Sequence, residues 1–155
     1  MCVWPGRGQG HARPETRFFH SNIIVAGLLT AHVDSPVARI LNGMLRATFG
    51  FVVSEVLLAE YRAVLLRPRL CQRHGLSAAE VDTILTDIAR HAIVITPVGG
   101  TAVPSAPDSG DQLLWDLLAS RADLVLVTGD KRLLEDEAMR QRVIPAHVFA
   151  AQLQP

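Results

Sequence analysis

The chain has only two cysteines in 155 residues, Cys2 and Cys71, and no paired Cys or Cys/His spacing around them. Two isolated cysteines exclude a disulfide scaffold and a thiolate metal motif, and make a reducing cytoplasm the natural compartment. Charge of one sign is also lacking: fifteen Lys and Arg face fifteen Asp and Glu. A protein that grips nucleic acid by bulk electrostatics is basic overall, so any such contact here must come from local patches. No apolar run reaches the ~20 residues of a membrane-spanning helix. The nearest, IIVAGLLTA at 23–31, follows Ser21 and Asn22 and is succeeded by His32 and Asp34. It reads as a short interior helix and not as the core of a signal peptide. Phosphate-loop and nucleophile-elbow motifs are absent, and the Gly99-Gly100 pair belongs to a loop.

What is present is a chain with 49% apolar and 19% charged residues, the composition of one compact α/β domain. Residues 1–16 have no period and are rich in Gly, Pro and Arg, which predicts a disordered leader before a single domain at 17–155. Strands are predicted around 17–19, 49–53, 92–96, 124–127 and 142–144. Helices are predicted between them: 23–30, a Ser35-Pro36 start running to 46, a Ser54-capped helix closed by Pro68, and a Ser77/Glu80 capping box opening another. Further helices follow at 111–120, after Asp130, and from Pro145 onward. The segment 97–110, PVGGTAVPSAPDSG, is predicted to be a mobile surface loop. Strands alternating with helices predict a parallel sheet covered on both faces, with sites outside the carboxyl ends of the strands.

The segment 124–134, LVLVTGDKRLL, runs an apolar strand into Thr128-Gly129-Asp130. Turn and capping chemistry is the ordinary reason for an aspartate there. Asp111, at the start of a helix, has the equally ordinary explanation of the helix dipole. Glu60 is less easily dismissed. On a helical wheel Leu57, Leu58, Tyr61, Val64 and Leu65 form the apolar stripe, Glu55 and Arg62 point away, and Glu60 falls on the shoulder between Val56 and Val64. A carboxylate beside the core wants a partner. Glu60, Asp111 and Asp130 in one cleft would repel one another unless a cation neutralised them, and hard divalent ions with oxygen ligands do so. That chemistry suits hydrolysis of phosphodiesters.

With these residues in view, the chain from Arg17 to about Leu153 resembles the PIN-domain family, in particular its short VapC-like bacterial toxins of toxin–antitoxin pairs. FVVSEVLLAEYRAVLLRP, GDQLLWDLLASRADLVLVTGDKRLL and VIPAHVFAAQL carry the resemblance, in the family's order and spacing. It implies a three-layer α/β/α fold with a central parallel sheet of about four or five strands. It also implies an acidic cluster binding Mg²⁺ or Mn²⁺, cleavage of RNA, dimerisation, and inhibition by a cognate antitoxin protein. By position, Glu60, Asp111 and Asp130 match three of the four acidic residues, and Thr128 the small hydroxyl residue before the last.

The fourth acid is missing. Where the family opens with Asp-Thr-Asn or Asp-Ser-Asn, this chain has His20-Ser21-Asn22. Imidazole is a poor ligand for Mg²⁺, acceptable to Mn²⁺ and better for Zn²⁺ or Ni²⁺. Three consequences are compatible with this substitution: a disabled enzyme that still binds antitoxin or RNA, a site retuned to a softer metal with His20 among the ligands, or a gap filled by water. Asn22, Ser21 and Thr128 are the supporting candidates. Arg67, Arg69, Arg73 and Lys131 are candidates for the RNA backbone, although basic clusters are more often solvated surface. Arg132 stands beside Lys131 as an alternative, His74 extends the basic cluster, and Trp115 reads as core.

Overall fold

The computed structural model describes residues 15–97 and 103–153. β1 (Thr16–Phe19) pairs with β4 (Leu124–Val127), which pairs in turn with β5 (Val143–Ile144), all in parallel. β2 (Val52–Val53) and β3 (Ile93–Val94) form a separate parallel pair, joined to the first sheet by one isolated bridge between Arg17 and Phe51. The fold is therefore mixed α/β with parallel pairing throughout the described residues. It corrects the expected single sheet of about four or five strands: five strands are present, three in one ladder and two in another. The cause is local. Ser54 turns the chain into a helix directly after Val53, and Ala92 ends the preceding helix directly before Ile93, so these strands are cut to two residues each.

Among the described residues four of the eight α-helices begin at a side chain that accepts from a free N–H group. α1 (Ser21–Leu29), which is not one of them, follows β1 directly, with His20 at its N-terminal cap position. In α2 (Pro36–Arg46), Ser35 Oγ accepts from the Ala38 amide, with Pro36 at the first helical position. Ser54 does the same for α3 (Glu55–Leu65), accepting from Leu57 N–H at 3.1 Å. Pro68 closes α3 as predicted, then opens a short helix that the sequence reading did not anticipate, α4 (Pro68–His74), which ends on Gly75 at φ 69°. α5 (Ala78–His91) carries the predicted capping box of Ser77 and Glu80. α6 (Gln112–Ser120), α7 (Lys131–Leu134) and α8 (Ala146–Ala151) complete the set.

Phe18, Phe19, Phe51, Tyr61 and Trp115 are buried in a single apolar core, Trp115 as predicted. Phe149 of α8 packs edge-on to Phe19 and to Phe49. The Tyr61 hydroxyl donates to the Phe19 carbonyl, tying α3 to the end of β1. Gly43 lets α2 reach this cluster, since a Cβ there would lie 2.3 Å from Phe49 Cε2.

β1 begins at Thr16, one residue before the predicted domain boundary, and most of the predicted leader lies outside the described residues. So do 98–102 of the predicted mobile loop. Its described end is held down: Gln112 Oε1 accepts from Ala106 N–H, Gln112 Nε2 donates to the Pro104 carbonyl, and Val103 and Ala106 pack against the core. Among the described residues no helix is long and apolar enough to cross a membrane.

Candidate active site

The register of β1 on β4 builds the centre of the site. Phe19 lies opposite Val127, so the next residues, His20 and Thr128, emerge side by side at the carboxyl ends of the two strands. The His20 amide donates to Val127 O at 3.0 Å, and Thr128 N–H donates to Ile144 O of β5. His20 Nδ1 and Thr128 Oγ1 are 2.8 Å apart, with Thr128 fully buried and His20 8% exposed. The Asp130 amide donates to the same hydroxyl oxygen, while Asp130 Oδ1 accepts from Arg132 N–H and caps α7. The capping explanation for Asp130 thus holds, and leaves Oδ2 directed elsewhere. Asn22, in the first turn of α1, accepts from Gly129 N–H at 3.4 Å and closes the turn from the other side.

His20, Ser21, Asn22, Glu60, Asp111 and Asp130 all line one open cavity of about 430 Å³. Glu60 reaches it from the partly buried side of α3, and Asp111 from the N-terminal end of α6. The wheel reading of α3 carried Glu60 here, although Val56 is exposed and only Leu57, Tyr61, Val64 and Leu65 are fully in the core.

Asp108, Arg67 and Arg132 share the cavity wall. Asp108 accepts from Gly110 N–H and shapes the turn ahead of Asp111. Arg132 Nη2 stands 3.5 Å from Asp130 Oδ2 and 3.7 Å from Asp108 Oδ2. This ion-paired bridge was the main omission of the sequence reading, because Asp108 and Arg132 come together only through the fold. Lys131 does not line the cavity; it is exposed beside it. Arg69 and Arg73 lie with Arg67 along a second open hollow of about 820 Å³ on α4. His74 turns inward instead, its Nδ1 accepting from Leu76 N–H and its Nε2 facing Leu65 O, so it is structural.

His20 Nε2 lies 3.4 Å from Asp111 Oδ1. Burial holds the imidazole below its ordinary range, against the pull of Asp111, Asp130 and Glu60. Burial also raises Asp111, with His20 opposing and Asp108 and Asp130 adding to the rise. Both shifts run against a fully charged pair, so desolvation outweighs the attraction at this contact.

The donors of the cavity, oxygen from Glu60, Asp111 and Asp130 and nitrogen from His20, are of the types divalent cations take. Their spacing is not closed: among the described residues no three His, Cys, Asp or Glu side chains stand close enough to hold one ion together. His20 and Asp111 are the pair that meets.

No curated protein and no solved structure matches the chain. A family model described as PIN domain matches residues 18–132. The matched span is well over half the chain and includes His20, Glu60, Asp111 and Asp130, the residues that the fold gathers in one cavity. The chain belongs to the PIN-domain family.

Proposed function

We propose that the protein is a metal-dependent endoribonuclease acting in the cytoplasm as the toxin component of a toxin–antitoxin pair. PIN domains are generally nucleases and usually use divalent metals. The observation that carries the reading is the convergence of Glu60, Asp111 and Asp130 from α3, α6 and the end of β4 on one cavity. These three would hold Mg²⁺ or Mn²⁺, and His20 would stand beside them in place of the missing acid. When bound, the cation supplies water activation and charge neutralisation at a phosphodiester.

The chain's own residues supply the rest. Thr128 and Asn22 fix the turn that presents Asp130, the one through the Asp130 amide and the other through Gly129. Arg67 and Arg132 flank the cavity as phosphate-backbone contacts, and Arg69 and Arg73 extend that basic edge along α4. RNA is the substrate and a small antitoxin protein the partner in this reading, with dimerisation as in the resembling toxins.

A second reading has its own observation. His20 contacts Asp111 while Arg132 bridges Asp108 and Asp130, so internal groups already offset part of the acidic charge. In that reading the protein binds antitoxin or RNA without cleavage. Cleavage of a mixed RNA pool in Mg²⁺ and in Mn²⁺ separates the two. Activity abolished by Asp130→Asn supports the enzyme; silence that His20→Asp restores supports an impaired site; silence in both variants and the unaltered chain counts against the nuclease reading.

A further inference from the structure

We infer that an RNA strand leaves the cavity on one side, over Arg67 and along α4, and that the hollow on α4 is a second subsite that grips neighbouring phosphates without help from a cation. The inference rests on reading the cavity as an RNA site.

The two hollows are continuous. Arg67 and Leu70 line both the cavity of about 430 Å³ and the hollow of about 820 Å³. Arg67 holds the N-terminal cap position of α4, and Arg69 and Arg73 lie four residues apart on it, so they share a face. All three arginines are exposed, and among the described residues none of them is in a salt bridge. Neither α4 nor the lining of its hollow contains an acidic residue.

The opposite wall differs in sign. Arg132 stands between Asp108 and Asp130, with Asp111 on the same wall, so a phosphate there meets carboxylates before a free guanidinium. In a chain of zero formal charge, such local differences decide where a polyanion lies. The α4 platform is also fixed. His74 Nδ1 accepts from Leu76 N–H at 2.9 Å, which puts the ring proton on Nε2, and Nε2–H donates to Leu65 O at 2.9 Å. This ties the end of α4 to the last residue of α3, the helix that carries Glu60. Guanidinium groups on a tied helix read backbone and not base edges, so the subsite positions a strand and leaves its sequence free.

The test is fluorescence anisotropy of a labelled single-stranded RNA with the full chain in EDTA, over a range of salt concentrations. Each phosphate contact on a single strand steepens the fall of log K with log salt by about 0.7, which is about fivefold in affinity between 1 M and 0.1 M salt. Arg69→Gln/Arg73→Gln should therefore bind about 25-fold more weakly at 0.1 M salt, with a slope shallower by about 1.4. Arg62→Gln/Arg90→Gln removes the same charge at arginines paired with Asp82 and Asp87, and should stay within about twofold of the unaltered chain. All four positions are exposed, so neither double variant disturbs the core. Equal weakening by the two double variants overturns the inference, by tracing binding to net charge. Unchanged binding in Arg69→Gln/Arg73→Gln overturns it too and leaves the RNA reading of the cavity standing. An oligoglutamate of equal charge that competes as well as RNA also overturns it, and makes the hollow a seat for an acidic protein segment. RNA that is cleaved in Mn²⁺ but not bound in EDTA overturns the cation-free grip while sparing the nuclease reading. Neither binding nor cleavage under any of these conditions defeats the RNA reading itself.

Discussion

Thr128→Val replaces a hydroxyl by a methyl of nearly the same shape at a fully buried position, so packing stays almost constant and the polar contacts are lost. Two groups depend on that hydroxyl: His20 Nδ1 at 2.8 Å and the Asp130 amide at 3.1 Å. Each lost hydrogen bond costs about 1 kcal/mol, and each polar atom left buried without a partner about 1–3 kcal/mol. Asp130 is partly exposed whereas His20 is buried, so the larger penalty falls on the imidazole alone. The sum is about 2–4 kcal/mol. For a domain of this size that lowers the melting temperature by roughly 4–16 °C. Thermal and urea unfolding followed by circular dichroism would measure it, with Thr128→Ser as the control that keeps the hydroxyl. A loss below about 0.5 kcal/mol in Thr128→Val would refute the reasoning, since values that small are typical of surface changes. Thr128→Ser falling as far as Thr128→Val would refute it too, by tracing the effect to the methyl group.

The pH dependence follows from burial. Because the folded His20 pKa is depressed, its contribution to stability is fully present above the unfolded imidazole value of about 6.5 and is lost as pH falls through the lower folded value. Asp111 has the opposite sign: its raised pKa costs stability at neutral pH, and that cost disappears as pH falls toward the unfolded value of about 3.9. Urea midpoints between about pH 7.5 and 5.5 should therefore fall more steeply in the unaltered chain than in His20→Asn, and equal slopes would contradict the assignment. Ser54→Ala removes the cap of the helix that carries Glu60 and should cost about 0.5–2 kcal/mol by chemical denaturation. Arg132→Gln should change stability by less than about 0.5 kcal/mol, because Arg132 is exposed and both its pairs are 3.5 Å or longer, yet tighten Mn²⁺ binding a few-fold by freeing Asp130 and Asp108. Weaker Mn²⁺ binding in a calorimetric titration would show that Arg132 does not compete with the ion.

Most of the helices were legible in the sequence because their signals are local. Ser35-Pro36, Ser54 and the Ser77/Glu80 pair cap helices through bonds to amides three residues away, so sequence neighbours suffice to place them. Glu60 was legible for a related reason: helical periodicity alone puts it on the shoulder of a buried stripe. Local chemistry misled where Pro68 was read only as a stop, because a ring that cannot continue a helix suits the first position of the next one, where its missing N–H costs nothing. The short β2 and β3 ladders were overextended because apolar runs mark burial more clearly than pairing.

By itself the sequence determined which residue types were available: three carboxylates, a Thr-Gly-Asp turn, and a histidine where the resembling proteins have an aspartate. Only the tertiary structure decided which of them meet. His20 and Thr128 are 108 residues apart and touch because Phe19 pairs with Val127; a register one residue different would turn successive side chains to opposite faces. The bridge from Arg132 to Asp108 and the 3.4 Å approach of His20 to Asp111 depend on how α6 and α7 meet the end of that sheet. Caps and periodicity act over a few residues, whereas the distances that set a cation's ligands are fixed by strand register and helix packing across the whole chain.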